Sequence, residues 1–129
     1  MAQPSVAQQG EGRSGTPVTL DVFTPMAEAW GLSTDEQMRL LGSPPRSSYF
    51  KWKKDNGPLP RDTAERVSNL LAIWKALEIL FPEQARAEAW LKRENGFFGG
   101  ASALDVMLAD GNFFDIIRVR QYLDAHRGG

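Results

Sequence analysis

The sequence predicts an all-α fold, with a helix-turn-helix unit near the N-terminus and a second helical unit behind it. Three observations carry that expectation. From Val18 onward apolar residues recur at helical spacing, no stretch alternates apolar and polar residues as a half-buried strand would, and helix caps and breakers punctuate the chain at short intervals.

Residues 1 to 16 have no periodic pattern, contain Gly10, Gly12 and Gly15, and are expected to form a disordered tail. A first helix is expected over residues 20 to 30, closed by Gly31; Pro25 either kinks it or marks its true start after Thr24. Ser33-Thr34-Asp35-Glu36 is a capping box that opens a short helix ending at Gly42. After Ser43-Pro44-Pro45 a third helix is expected over residues 46 to 55, stopped by Asn56-Gly57-Pro58.

Asp62 is expected to cap a long helix reaching Phe81, with Val67, Leu70, Leu71, Trp74, Leu77 and Phe81 on its apolar stripe and Ile73, Ala76 and Leu80 widening it. Pro82 suits the first turn of the next helix, with Glu83 near its positive end, Lys92 and Arg93 near its negative end, and Ala85, Ala89 and Trp90 inward. The glycines of Asn95-Gly96-Phe97-Phe98-Gly99-Gly100 make that stretch a shaped loop. Ser102 caps a short helix to Asp110, with Leu104, Met107 and Leu108 on one face, and Gly111 ends it. Asn112 starts a last helix, where Phe113, Ile116, Val119 and Leu123 face inward.

Composition narrows the functional classes. Four tryptophans and 42% hydrophobic residues allow a packed interior, and the absence of cysteine excludes disulfides, thiolate metal sites and a cysteine nucleophile. No apolar run approaches the roughly 20 residues of a membrane span, and the N-terminus lacks the pattern of a signal peptide, so a soluble cytoplasmic protein is expected. The net charge of -1 conceals a basic segment, residues 39 to 61, with six basic side chains against one acid.

That segment overlaps residues 33 to 55, which have the proportions of a helix-turn-helix. Tyr49 and Trp52 would pack under Met38 and Leu41, leaving Arg46, Ser47, Ser48, Lys51 and Lys54 toward solvent or DNA, with Lys53 and Arg61 near the edge. Two features depart from the usual motif: Met38 stands where a small residue is common, and Pro44-Pro45 lengthens the turn by one residue. The alternative is a bundle corner with a solvated lysine face.

No catalytic constellation is legible. His126 is the sole histidine and sits in a terminal turn, Ser102 and Asp105 read as a helix cap, the carboxylates Asp110, Asp115 and Asp124 are dispersed, and the glycines match no nucleotide-binding fingerprint. A non-enzymatic binding protein without cofactor or metal is expected.

The residues also carry a family resemblance that spans residues 20 to 129. Leu40-Leu41-Gly42, Tyr49-Phe50-Lys51-Trp52-Lys53 and Leu59-Pro60-Arg61-Asp62, then Leu70-Leu71-Ala72-Ile73-Trp74-Lys75-Ala76-Leu77, Leu80-Phe81-Pro82, Phe98-Gly99-Gly100-Ala101-Ser102-Ala103-Leu104-Asp105 and Val119-Arg120-Gln121-Tyr122-Leu123-Asp124 together resemble the Xre/MbcA/ParS antitoxins of the RES-Xre toxin-antitoxin class. Glu94 departs from the proline that members commonly carry before the asparagine, and some members continue a few residues past the position of Gly129.

The resemblance implies an Xre-like DNA-binding region over residues 17 to 60 and a dimerisation and toxin-binding region over residues 61 to 129. It implies a RES-domain toxin as partner, one that degrades NAD or uses it for ADP-ribosylation, and an antitoxin that covers the toxin's active site. Asn95, Phe98, Gly99, Gly100, Arg118, Arg120, Arg127, Gly128 and Gly129 are the candidate toxin contacts. Arg118 and Arg120 each have a carboxylate within one turn, Asp115 and Asp124, and Gly99-Gly100 serves equally well to turn Phe98 inward without any toxin contact. A homodimer and operator DNA complete the expected partners. The competing reading is a solitary Xre-type regulator whose C-terminal half only dimerises.

Overall fold

Pro25 marks a start and not a kink. In the computed structural model, which describes residues 17–109 and 111–127, Leu20–Val22 forms one 3-10 turn and α1 (Thr24–Ala29) begins afresh with Pro25 in its first turn, where a missing N–H costs nothing. Gly31, at φ +68°, ends it. The tail expected over residues 1 to 16 lies outside the described residues, as do Asp110, Gly128 and Gly129.

The capping box forms at α2 (Thr34–Leu40): the Glu36 N–H donates to Ser33 Oγ at 3.1 Å and the Ser33 N–H donates to Glu36 Oε1 at 2.9 Å. α3 (Arg46–Asp55) follows the proline turn and stops at Asn56, which takes a left-handed conformation that asparagine tolerates. Asn56 also ties α3 to the N-terminal segment, because its Oδ1 accepts the Asp21 N–H at 3.2 Å. Nearby, the Leu59 N–H donates to the Val18 carbonyl at 2.9 Å.

α4 (Arg61–Leu80) is the long helix, and Thr63, Val67, Leu70, Ile73, Ala76 and Leu77 form its buried stripe. Leu71, Trp74, Leu80 and Phe81 are half-buried at the margins of that stripe. Asp62 does not cap it. Pro60 occupies the cap position without a side-chain bond, and Asp62 lies one residue inside the helix, where its charge still favours the positive end and its carboxylate stands 3.6 Å from Arg66 Nε.

α5 (Gln84–Lys92) begins two residues after Pro82, which lies outside its first turn, and Glu83 is its cap. Its inward residues are Ala87, Trp90 and Leu91, whereas Ala85 and Ala89 are exposed. Burying Leu91 removes far more apolar area from water than burying two alanine methyls, and Ala85 and Ala89 lie on the opposite side of the helix from it. After the loop, α6 (Ala103–Ala109) begins with the Asp105 N–H donating to Ser102 Oγ at 3.0 Å. α7 (Phe113–His126) is capped by Asn112, whose Oδ1 accepts the Phe114 N–H at 2.8 Å.

α4 packs most extensively against α7, while α5 and α6 close the remaining sides of the C-terminal core and α2 touches α6. Every helix buries part of one continuous apolar core. The N-terminal and C-terminal parts are also joined by polar contacts at the turn between α6 and α7. Arg66 Nη1 donates to the Gly111 carbonyl at 2.8 Å, and Arg39 Nη1 donates to the Leu108 carbonyl at 3.4 Å.

The Arg66 side chain is only 11% exposed; its guanidinium lies 5.7 Å from the Phe113 ring centroid, and its Nε, too far from Asp62 for a hydrogen bond, is buried without an acceptor. Gly42, at φ +95°, leaves room for it, since a Cβ there would stand 2.9 Å from Arg66 Nε.

Arg66→Met keeps the aliphatic stem and removes the donor to Gly111, so unfolding free energy should fall by about 1–3 kcal/mol. Urea titration should show this as a lower midpoint at unchanged slope. An unmoved midpoint would show that the junction contributes nothing.

Candidate functional site

Two surfaces are built from the residues singled out by sequence. The first is the outer face of α3, which is held on α2 by its inner face. Tyr49 is 1% exposed and donates its hydroxyl to Gln37 Oε1 at 3.2 Å, and this burial pushes its phenol pKa up. Trp52 is half-buried against the same core and Met38 is buried beneath, with Arg46 Nη1 3.8 Å from its sulfur. Met38 thus fills the helix crossing that a small residue commonly occupies.

Arg46, Ser47, Lys51, Lys53 and Lys54 are exposed along this face and Ser48 is half-buried. Several already have partners: Arg46 pairs with Asp35 at 3.3 Å, and Lys53 Nζ lies 5.9 Å from the Tyr49 ring centroid. Lys51 pairs with Asp55 at 2.9 Å, and the Asp55 carboxylate raises the Lys51 pKa, keeping it charged. These pairs are solvated, so a phosphate can replace the carboxylate at little cost.

The second surface is set by the loop between α5 and α6. Asn95 organises it: its Oδ1 accepts the Phe97 N–H at 2.9 Å, its carbonyl accepts the N–H groups of Phe98 and Gly100 at 3.0 Å, and its own N–H donates to Ala101. Gly99 and Gly100 hold φ of +71° and +95°, yet a Cβ on either would meet nothing within 4 Å. Their requirement is conformational and not one of space.

The result turns Phe98 inward, 6% exposed, and leaves Phe97 outward, 55% exposed. Phe97 rests on Phe98 and on Tyr122 with centroid separations of 5.0 and 4.5 Å, and Arg118 lies 6.0 Å from the Phe97 centroid and 5.4 Å from that of Phe98. Tyr122 also stacks on Trp90 and lies tilted against His126. His126 Nδ1 donates to the Tyr122 carbonyl at 2.8 Å, which is a helix-end bond.

The candidate arginines are divided between two sides of α7. Arg118 shares a side with Tyr122 and His126, spaced i, i+4, i+8, and pairs with Asp115 at 3.6 Å. Arg120 lies on the opposite side, donating to Asn69 Oδ1 at 2.7 Å and pairing with Asp124, which also receives Arg127 at 3.7 Å. Phe97, Tyr122 and His126 were not legible as one patch, although the i, i+4 spacing of Arg118, Tyr122 and His126 held part of the signal.

Among the described residues no group of three or more potential ligands could hold a metal ion, and no helix is long and apolar enough to cross a membrane. Together the two surfaces define a helix-turn-helix protein that carries a second, separate helical binding surface. Residues 10–72 match the antitoxin Xre-like helix-turn-helix domain, and residues 76–129 match the antitoxin Xre/MbcA/ParS C-terminal toxin-binding domain. The chain is 59% identical over 113 residues to "Uncharacterized protein y4oB" of Sinorhizobium fredii (strain NBRC 101917 / NGR234), covering 88% of this chain and 87% of that protein. The chain belongs to the Xre-type antitoxins of type II toxin-antitoxin systems.

Gly99→Ala should lower unfolding free energy by about 1–2 kcal/mol through backbone strain alone, and Gly99→Asn by less, because asparagine tolerates a left-handed backbone. Chemical denaturation of the two variants checks the order. Equal stability of alanine and glycine at this position would mean that the loop does not hold the positive φ.

Proposed function

We propose that this antitoxin neutralises a RES-domain toxin that consumes NAD by laying its C-terminal region over the toxin's active site. The observation that carries this is the exposed aromatic and cationic surface of Phe97 and Arg118, backed by the half-buried Tyr122, which lies within the part matched to a toxin-binding domain. An exposed aromatic ring held by its neighbours is a favourable anchor, since little freedom is lost on binding. Arg118, Arg120 and Arg127 supply charge suited to a pocket that accepts a dinucleotide, each by exchanging a solvated carboxylate for a phosphate or a toxin acid. In this reading Asn95, Gly99 and Gly100 act by shaping the loop, Phe98 acts by supporting Phe97, and Gly128 and Gly129, which lie outside the described residues, are further toxin contacts.

The same protein binds operator DNA through α3 and represses its own operon, with Arg46, Ser47, Ser48, Lys51, Lys53 and Lys54 as contacts. A homodimer would match the two-fold symmetry of operators. The exposed apolar side chains of Ile79 and Phe114 are surface that a second copy could cover.

Cells co-expressing the toxin and the wild-type chain should keep their NAD. Removal of residues 127 to 129, or joint reversal of Arg118 and Arg120 to glutamate, should restore NAD loss or ADP-ribosylation; inhibition that survives both changes would rule out the covering mechanism. Phe97→Ala should weaken toxin binding by about 2 kcal/mol, roughly thirtyfold, in a calorimetric titration.

For DNA, replacing Lys51, Lys53 and Lys54 with alanine should reduce the slope of log K against log salt by about 0.9 for each phosphate that is no longer neutralised. Identical slopes would remove these lysines from DNA binding.

A further inference from the structure

One residue on the outer face of α3 does not fit a purely ionic surface. Phe50 is 44% exposed between Arg46, one turn before it, and Lys51 and Lys54 beyond it. Its ring stands edge-on to Tyr49, with centroids 5.0 Å apart and planes at 83°, and the Arg46 guanidinium lies 5.4 Å from its centroid. Tyr49 is itself fixed by burial and by its bond to Gln37. The Phe50 ring is therefore held outward by the fold.

The surroundings of Phe50 limit what can cover it. Pressing this face against an apolar protein surface would strip water from the solvated pairs of Arg46 with Asp35 and Lys51 with Asp55, and would give Lys54 no partner. Duplex DNA gives each part of the face something to meet: phosphates for the cations, and for the ring the thymine C5-methyl, the apolar group of the major groove. The polar side chains at the start of α3 are meanwhile partly committed. Arg46 is paired with Asp35, and Ser48 is half-buried.

We propose that Phe50 is a specificity-determining residue, its exposed ring packing against the C5-methyl of a thymine in the major groove of the bound site. This rests on the reading of α3 as the DNA-contacting helix, and adds to it a base-reading role for a residue with no charge and no hydrogen-bonding group.

The probe is a set of duplexes selected from a random-sequence pool by the full-length chain, each thymine then replaced singly by deoxyuridine, which removes the methyl and nothing else. At one thymine or two adjacent ones per bound copy, deoxyuridine should weaken wild-type binding about fourfold for each methyl removed. Phe50→Ala should bind the thymine and uracil forms of that site alike, with an unchanged salt slope, and Phe50→Leu should retain part of the preference.

Wild-type binding that is steeply salt-dependent yet indifferent to every thymine-to-uracil change would overturn the role of Phe50 and leave α3 as a phosphate-binding helix. Failure to bind any duplex would overturn both. Loss of toxin binding or self-association in Phe50→Ala, with the thymine preference intact, would assign the ring to a protein contact and also overturn the proposal.

Discussion

The fold depends on one helix being shared. α4 carries Arg66, which packs against the exit of α2 at Gly42, and it supplies the central strut of the toxin-binding part, where it lies along α7. The two domain matches meet within it, one ending at residue 72 and the other beginning at residue 76. Burial of Val67, Leu70, Ile73 and Leu77 on the stripe contributes about 1.5–3 kcal/mol for each side chain. Because those residues serve one continuous core, neither binding surface can be loosened without cost to the helix that positions the other.

Arg66 extends that sharing from apolar to polar contacts. It sits under the exit of α2 at Gly42, and it reaches the Gly111 carbonyl at the start of α7. Arg39 reaches the Leu108 carbonyl from the other side. The turn between α6 and α7 is thus bonded to both α2 and α4. The direction of α7, and with it the placing of Arg118 and Tyr122, is set partly by residues of the helix-turn-helix.

Elements with a local chemical signal were legible in the sequence. The capping box at Ser33, the stop at Asn56 and the caps at Ser102 and Asn112 all formed, because each depends on a few neighbouring groups. Asp62 misled because Pro60, two residues earlier, sets the helix start through its backbone. The rotation of α5 was hidden because alanines fit either face, and Leu91 decided the matter only through the core it meets. At the glycine loop the pattern marked a shaped turn, and the reading in which Gly99-Gly100 turns Phe98 inward formed; that the outward Phe97 rests on Tyr122, 25 residues away in sequence, was not legible. The split of Arg118 from Arg120 was available from helical geometry; their partners across the fold, Phe97 and Asn69, were not.

The proposed division of the molecule into a DNA face on α3 and a toxin face on the loop and α7 is tested most directly by amide hydrogen exchange on the full chain, alone, with duplex DNA and with its toxin. DNA should slow exchange in residues 46 to 55, and toxin should slow it in residues 95 to 100 and along α7, with little overlap beyond the junction at Gly111. Protection of α3 by the toxin, with the loop and α7 unchanged, would contradict that division.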